Sequence, residues 1–277
     1  MRTSRRSPLL VAFLGLALAG APAVVHAQQA AAATATLPSA REVVDRYLEV
    51  TKLKAALDKT KSRHIKGKFS MEAMGMTGAM EAWGARPDKR LTKIELGTFG
   101  TMTSGFDGTV AWQINPMVGT RVLKDSELLQ AKLEAAYDTD LKPDSLYESM
   151  KTVGRETFES KDCYKVEVVA KPLPGMDPAT SLKGRTTHEF YEVASGFLLG
   201  SMGTAEGEMG GGPFTQVFSD YKELGGAMIA TRTVVRASGQ EFALTVESVE
   251  FDTATDDLFA LPKDVQVKAQ PPAPKAQ

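Results

Sequence analysis

Cysteine and histidine are scarce in this sequence, and neither sign of charge dominates. One cysteine, Cys163, occurs in 277 residues, so no internal disulfide can form and the packed core must supply the stability. A buried free thiol is the expected state of that residue. Three histidines are too few to supply several zinc ligands at defined spacing. With 33 basic against 34 acidic residues the chain lacks the positive excess of a nucleic-acid binder, so nucleic acid is not expected as a partner.

Long hydrophobic runs are also missing, except for one at the N-terminus. Three arginines precede the apolar run Leu9–Ala19, and the small-residue site Val25-His26-Ala27 follows it, so residues 1–27 are predicted to be a signal peptide cleaved near Ala27. The run is too short to span a bilayer, and no cysteine stands at the cleavage site to accept a lipid. We therefore expect a soluble periplasmic protein without stable membrane insertion. Ser4-Arg5-Arg6 leaves the export route open between Sec and twin-arginine signals.

Composition divides the remaining chain into three parts. Residues 28–37 form an Ala/Gln/Thr-rich stretch that is predicted to be a flexible leader. Residues 268–277 are rich in proline and are predicted to be a disordered tail. Residues 38–267 between them are predicted to form a single domain. Loss of the three signal arginines leaves 30 basic against 34 acidic residues, a net charge of −4.

Helical spacing appears at the start of this domain and again in its middle. Ser39 and Glu42 have the spacing of a capping box, and apolar residues then fall on one helical face up to Leu48. A second short helix is predicted to follow it. A further helix is predicted to begin at a cap formed by Asp125 or Ser126, with additional helical turns in Pro143–Met150.

Apolar and polar residues alternate in most of the remaining domain, which is the period of half-buried β-strands. Short connections such as Asp107-Gly108 favour antiparallel pairing. In the last strand the parity of the apolar residues changes, which predicts a β-bulge near Glu247. About eleven strands are predicted in this way: 64–72, 76–83, 90–96, 98–106, 110–114, 163–170, 186–193, 197–205, 214–221, 228–237 and 240–251.

Several short motifs occur in the order and spacing of a known family. They are Glu42-Val43-Val44-Asp45-Arg46-Tyr47, Lys61-Ser62-Arg63, Phe106-Asp107-Gly108 with Ala111-Trp112 and Pro116, Tyr191 with Ser195-Gly196-Phe197-Leu198, Asp220 to Gly226, and Asp256 to Pro262. With these motifs the sequence resembles the exported outer-membrane lipoprotein-sorting proteins, which share the LolA/LolB fold. It departs from them in its greater length and in having Thr51-Lys52-Leu53 where a Gly-Gly pair is usual.

The resemblance implies a mainly β fold with helical cover (α+β). Its sheet would be a strongly curved antiparallel sheet, or unclosed β-barrel, with N-terminal and inserted helices, and its concave apolar face would bind acyl chains. Burial of such a chain contributes about 0.8 kcal/mol per methylene without any catalytic group. Strand parity predicts the inward-facing candidates for this hydrophobic pocket, although the same residues could simply fill a core: Phe69, Met71, Met80, Trp112, Val166, Phe190, Phe218, Phe242 and Leu244.

The sequence offers little chemistry for catalysis. Cys163 and His188 could approach each other in a folded sheet, but no third group is placed to orient them. Asp256 and Asp257 are interpreted as turn residues. No catalytic residue, metal site or cofactor is therefore expected. Two functions remain open: a carrier or binder of a lipid or lipoprotein acyl chain, and an envelope protein-interaction module whose core is filled by its own side chains.

Overall fold

The computed structural model describes residues 36–138, 141–171, 186–205 and 212–269. The predicted signal peptide lies outside these residues, as do most of the predicted leader and most of the predicted tail. Residues 268 and 269 of that tail form the end of a helix. None of the helices in the described ranges has both the length and the apolar character that crossing a membrane would require.

The described residues form one antiparallel sheet of thirteen strands. Its spatial order is β6-β5-β4-β3-β2-β1-β13-β12-β11-β10-β9-β8-β7, so that β6 and β7 are the two edges and the sheet does not close. The predicted fold class, a curved unclosed antiparallel sheet with helices, is confirmed. The strands are β1 Ser62–Met71, β2 Met76–Ala85, β3 Lys89–Glu95, β4 Thr101–Phe106, β5 Ala111–Asn115, β6 Gly119–Val122, β7 Tyr147–Phe158, β8 Lys161–Ala170, β9 Thr186–Glu192, β10 Leu198–Ala205, β11 Gly212–Leu224, β12 Ala227–Ala237 and β13 Gln240–Phe251.

Both strands that the sequence did not predict are edge strands. The short strand β6 has only four residues. Within Pro143–Met150, predicted as helix, only Pro143–Leu146 is helical, and the longer edge strand β7 begins directly after it. Charged residues such as Lys151 and Arg155 are exposed along β7. Charged edge strands resist pairing with other chains, and their polar sequences lack the alternation by which strands are recognised.

The predicted bulge in β13 is confirmed at the predicted residue. Lys66 of β1 pairs with Ser248 of β13, whereas the next residue, Gly67, pairs with Val246. Glu247 is therefore the extra residue of the bulge. Bulges of this kind bend a strand and increase its local twist, which favours curvature of the sheet.

Cross-strand pairing defines the two faces of the sheet. Phe69 pairs with Leu244, Leu244 with Thr233, and Thr233 with Phe218, so these side chains share a face that we call the inner face. Four helices cover the inner face: α1 Ala40–Thr51, α2 Leu53–Leu57, α3 Asp125–Ala135 and α4 Pro143–Leu146. A last helix, α5 Lys263–Ala269, lies on the opposite, outer face. The predicted capping box of α1 is present, with the Glu42 amide donating to Ser39 Oγ at 3.2 Å and the Ser39 amide donating to Glu42 Oε2 at 2.7 Å.

The connection from β6 to β7 joins opposite edges of the sheet across its inner face. We call this connection, described for residues 123–138 and 141–146, the cover segment; it contains α3 and α4. Arg86, in the turn after β2, holds it in place. Its Nη1 donates to Asp138 Oδ2 at 2.5 Å and its Nη2 to the Leu57 carbonyl oxygen at 2.9 Å, while its guanidinium lies 4.7 Å from the centre of the Tyr137 ring. One arginine thus links the cover segment, α2 and the sheet.

Cys163 is a free, fully buried thiol, as predicted. It lies on the outer face with Phe158 and Phe190, and burial, the largest influence, raises its pKa to about 11. The thiolate is the reactive form, so we expect no reaction of the folded protein with a thiol reagent at pH 8 and stoichiometric reaction in denaturant. Spectrophotometric thiol titration measures both. Fast labelling of the native protein would show that this part of the outer face opens.

Candidate functional site

Two adjoining cavities lie between the inner face and its helices. The larger has a volume of about 670 Å³ and the smaller of about 390 Å³. Both are lined by Arg63, Ile65, Leu146 and Tyr147, so they meet beneath α4. Their sizes fall in the range of about 300–1,000 Å³ that is typical of small-molecule sites.

The larger cavity has the sheet as its floor and the cover segment as its roof. Ala82 and Gly84 of β2 line the floor, and Leu133 and Tyr137 line the roof. Tyr137 itself is almost completely buried, and its hydroxyl lies 2.8 Å from Thr60 Oγ1. Because the roof is the cover segment, the shape of this cavity depends on the contacts of Arg86 with Tyr137 and Asp138.

Tyrosine side chains dominate the smaller cavity. Four of the six tyrosines in the sequence line it: Tyr47, Tyr147, Tyr191 and Tyr221. They come from α1, β7, β9 and β11, which are far apart in sequence. Apolar side chains such as Phe218 and Ile229 complete the wall. A cavity with this lining combines apolar surface with hydroxyl groups that can fix the orientation of a ligand.

Glu189 is the only carboxylate that lines the smaller cavity, as far as the structure describes it. The Tyr147 hydroxyl donates to its Oε1 at 2.9 Å, and the Tyr191 hydroxyl donates to its Oε2 at 2.7 Å. Burial raises the pKa of Glu189 and outweighs the two tyrosine hydrogen bonds, which lower it. Burial also raises the pKa of Tyr191 well above its ordinary value, and the neighbouring carboxylate adds to this shift. The cavity wall therefore contains a carboxyl group that is held by neutral donors.

Comparison with known proteins identifies the fold. No model of a protein family matches the sequence, and no curated protein matches it. Among solved structures, a DUF1329 family protein from Desulfovibrio piger is similar, with a TM-score of 0.53 and 12% identity over 80% of this chain and 97% of that one. A LolA superfamily protein from Nitrosomonas europaea has a TM-score of 0.52 and 12% identity over 81% of this chain and 99% of that one. The chain has a LolA-like fold.

The LolA-like sheet places seven of the nine predicted pocket residues on its inner face, in three different surroundings. Phe218 lines the smaller cavity. Val166 is buried beneath α1. The other five line neither cavity and form a cluster with Met76 and Leu96: Phe69, Met71, Met80, Phe242 and Leu244. In this cluster the side chains fill space between themselves, which is the alternative that the sequence left open.

For Trp112 and Phe190 the predicted inward orientation is wrong. Trp112 lies on the outer face of the LolA-like sheet, where it packs against Phe259 and Val265. Phe190 also lies on the outer face and stacks on Phe158 with ring centroids 4.3 Å apart. Alternation shows that a strand has two faces but not which one points inward, because the phase is lost at each turn. The outer face has its own apolar clusters, and these two residues belong to them.

Sequence reasoning missed the polar residues of the smaller cavity. The alternation of β9 does contain a usable signal, since Glu189 and Tyr191 are two residues apart and share a face. The prediction that Phe190 points inward placed Glu189 and Tyr191 on the opposite face. The structure gives no support to the Cys163–His188 pair that the sequence suggested. His188 Nε2 lies 3.5 Å from Glu167 Oε2, and burial raises the pKa of the Cys163 thiol. The described ranges contain no cluster of residues that could hold a metal ion.

Proposed function

We propose that this protein is an exported, periplasmic carrier or binder of a hydrophobic ligand, a lipid or a lipoprotein acyl chain, without enzymatic activity. The observation that supports this proposal best is the pair of adjoining cavities on the inner face. They lie where the LolA-like fold has its helical cover, and Ile65, Leu146 and Phe218 give them apolar walls. The predicted signal peptide supports the location.

The physical chemistry of the cavities suits an alkyl chain. Transfer of each methylene group from water to an apolar site contributes about 0.8 kcal/mol, so a chain needs no strong polar contact to bind. Because the two cavities share Arg63, Ile65, Leu146 and Tyr147, one chain can extend from one cavity into the other.

A second function, an envelope protein-interaction module, is favoured by a different observation. Four large apolar side chains are more than half exposed in three loops: Met74, Phe99, Met117 and Val118. These loops connect β1 to β2, β3 to β4 and β5 to β6, so antiparallel pairing places them at the same end of the sheet. Contiguous exposed apolar surface is typical of docking sites.

Native mass spectrometry of the mature protein purified from a bacterial periplasm separates the two functions. A carrier is expected to retain stoichiometric lipid or acylated protein, which solvent extraction then identifies. A clean apo mass, together with no binding of an added apolar probe, would contradict the carrier and favour the interaction module.

A variant that fills the smaller cavity tests the location of the ligand. Ala230 lines that cavity, so we expect Ala230→Phe to weaken binding of the fluorescent probe N-phenylnaphthylamine about tenfold or more, which corresponds to a loss of roughly 1.4 kcal/mol. Ala79→Phe is the matched control, because Ala79 is an exposed strand residue that lines neither cavity. Fluorescence titration measures both. Equal affinities of the two variants would place the probe elsewhere.

A further inference from the structure

Glu189 has unused capacity to accept hydrogen bonds inside the smaller cavity. An ionised carboxylate offers about four acceptor positions on its two oxygens. The hydroxyls of Tyr147 and Tyr191 occupy one position on each oxygen. Two positions therefore remain for a donor that enters the cavity.

The charge balance of Glu189 is the next observation. Over the ranges that the structure describes, the influences on this carboxyl are burial and the two tyrosine hydroxyls, with no lysine, arginine or histidine among them. Arg63 is the one cation that lines the same cavity, and its guanidinium lies 5.4 Å from the centre of the Tyr137 ring. Glu189 is half-buried, and partial desolvation of a carboxylate without a counter-charge lowers stability.

We propose that Glu189 determines ligand specificity, by selecting amphiphiles whose polar group donates hydrogen bonds, such as an amine, a hydroxyl or an amide, over free fatty acids. The apolar walls hold the chain, and the free acceptor positions of Glu189 take the donor. A fatty-acid carboxylate brings a second negative charge to the same place and has no proton to donate. This inference rests on the proposed function, and it adds the chemical class of the head group.

The preference for donor head groups is expected to weaken in acid. A purely structural role of Glu189 would not make ligand preference depend on pH in this way. Protonation removes the charge of Glu189, turns one of its oxygens into a donor and leaves the carboxyl fewer acceptor positions. Because burial places the pKa of Glu189 above that of an ordinary glutamate, the preference for a cationic amine is present at high pH and is lost as the pH falls through this raised pKa. The other ionisable side chains that line the cavity are Arg63 and the four tyrosines.

Competition against N-phenylnaphthylamine tests the proposal. Dodecylamine, dodecanol and dodecanoate have the same chain and differ in their head groups. In the wild-type protein at pH 7.5 we expect dodecylamine to displace the probe at a concentration about tenfold or more below that of dodecanoate, with dodecanol between them. In Glu189→Gln we expect the probe to bind as before and the amine preference to disappear.

Tyr147→Phe is the second variant, because it removes one neighbour of Glu189 but leaves the carboxylate. It is expected to keep the amine preference. If Glu189→Gln does not fold, the wild-type protein in acid is the remaining test: loss of the amine preference is expected there, and its persistence would overturn the proposal. Equal displacement by amine and fatty acid in the wild-type protein would overturn the proposal, and a preference for dodecanoate would do so in favour of Arg63 as the head-group site. No probe binding in any variant would instead contradict the proposed function itself.

Discussion

Replacement of Trp112 by alanine is expected to lower the free energy of unfolding by about 3–5 kcal/mol, which is the usual cost of removing a buried large aromatic side chain. Trp112 is only 2% exposed and is packed between Leu91, Phe259 and Val265 on the outer face. A Cβ on Gly105, in the adjacent strand, would lie 2.5 Å from Trp112 Cζ2, so the indole occupies the space that a side chain would have there. Gly105 has no side chain that could fill the void left by the indole.

Chemical denaturation followed by circular dichroism measures this loss. Phe99→Ala is the control, since Phe99 is an aromatic loop residue whose own exposure is 51%. Its replacement is expected to change the free energy of unfolding by about 0.5 kcal/mol or less. Probe binding by folded Trp112→Ala is expected to stay at the wild-type level. A variant that keeps its stability but loses the probe would restore the role in ligand binding that the sequence predicted for Trp112.

Gly67→Ala is the second substitution with a large expected effect. A Cβ at Gly67 would lie 2.0 Å from the carbonyl oxygen of Thr245, a backbone atom of the neighbouring strand at the β13 bulge. Overpacking typically costs about 1–3 kcal/mol, and we expect the upper end of that range because a backbone atom of a paired strand cannot rotate away. The measurement is the midpoint of chemical unfolding.

Gly154→Ala provides the matched control for this substitution. Gly154 also lies in a strand at an irregularity of register, but a Cβ there would meet no atom within 4 Å. Since alanine restricts the unfolded chain more than glycine does, we expect Gly154→Ala to leave stability unchanged or to raise it by up to about 1 kcal/mol. Equal effects of the two substitutions would show that the intrinsic cost of glycine replacement, and not the contact with Thr245, decides the outcome at Gly67.

The residues that were predictable from the sequence are those whose signal is local. The capping box of Ser39 and Glu42 needs only four consecutive residues, and the bulge at Glu247 appears as a change of parity within one strand. The edge strand β7 was missed because its exposed charges remove the alternation. Local patterns reflect burial on one side of an element, so they fail where both sides meet water.

The faces of the sheet and the polar site depend on distant parts of the chain. Trp112 faces outward because α5, from the far end of the sequence, covers it there. Glu189 is enclosed by tyrosines of β7 and β9, and Tyr147 reaches it from 42 positions earlier in the chain. No window of sequence contains both partners, and therefore a strand pattern alone cannot distinguish this carboxylate from a solvated one.

The cover segment couples the curvature of the sheet to the volume beneath it. It connects β6 to β7, the two free edges, and the length of its chain limits how far those edges can move apart. Flattening of the sheet would therefore extend this connection and strain the bonds that hold it, such as those of Arg86 with Asp138 and of Arg41 with Asp144, and the bond from the Tyr137 amide to the Pro87 carbonyl oxygen. The length of the cover segment and these bonds together limit how far the two edges of the sheet can separate.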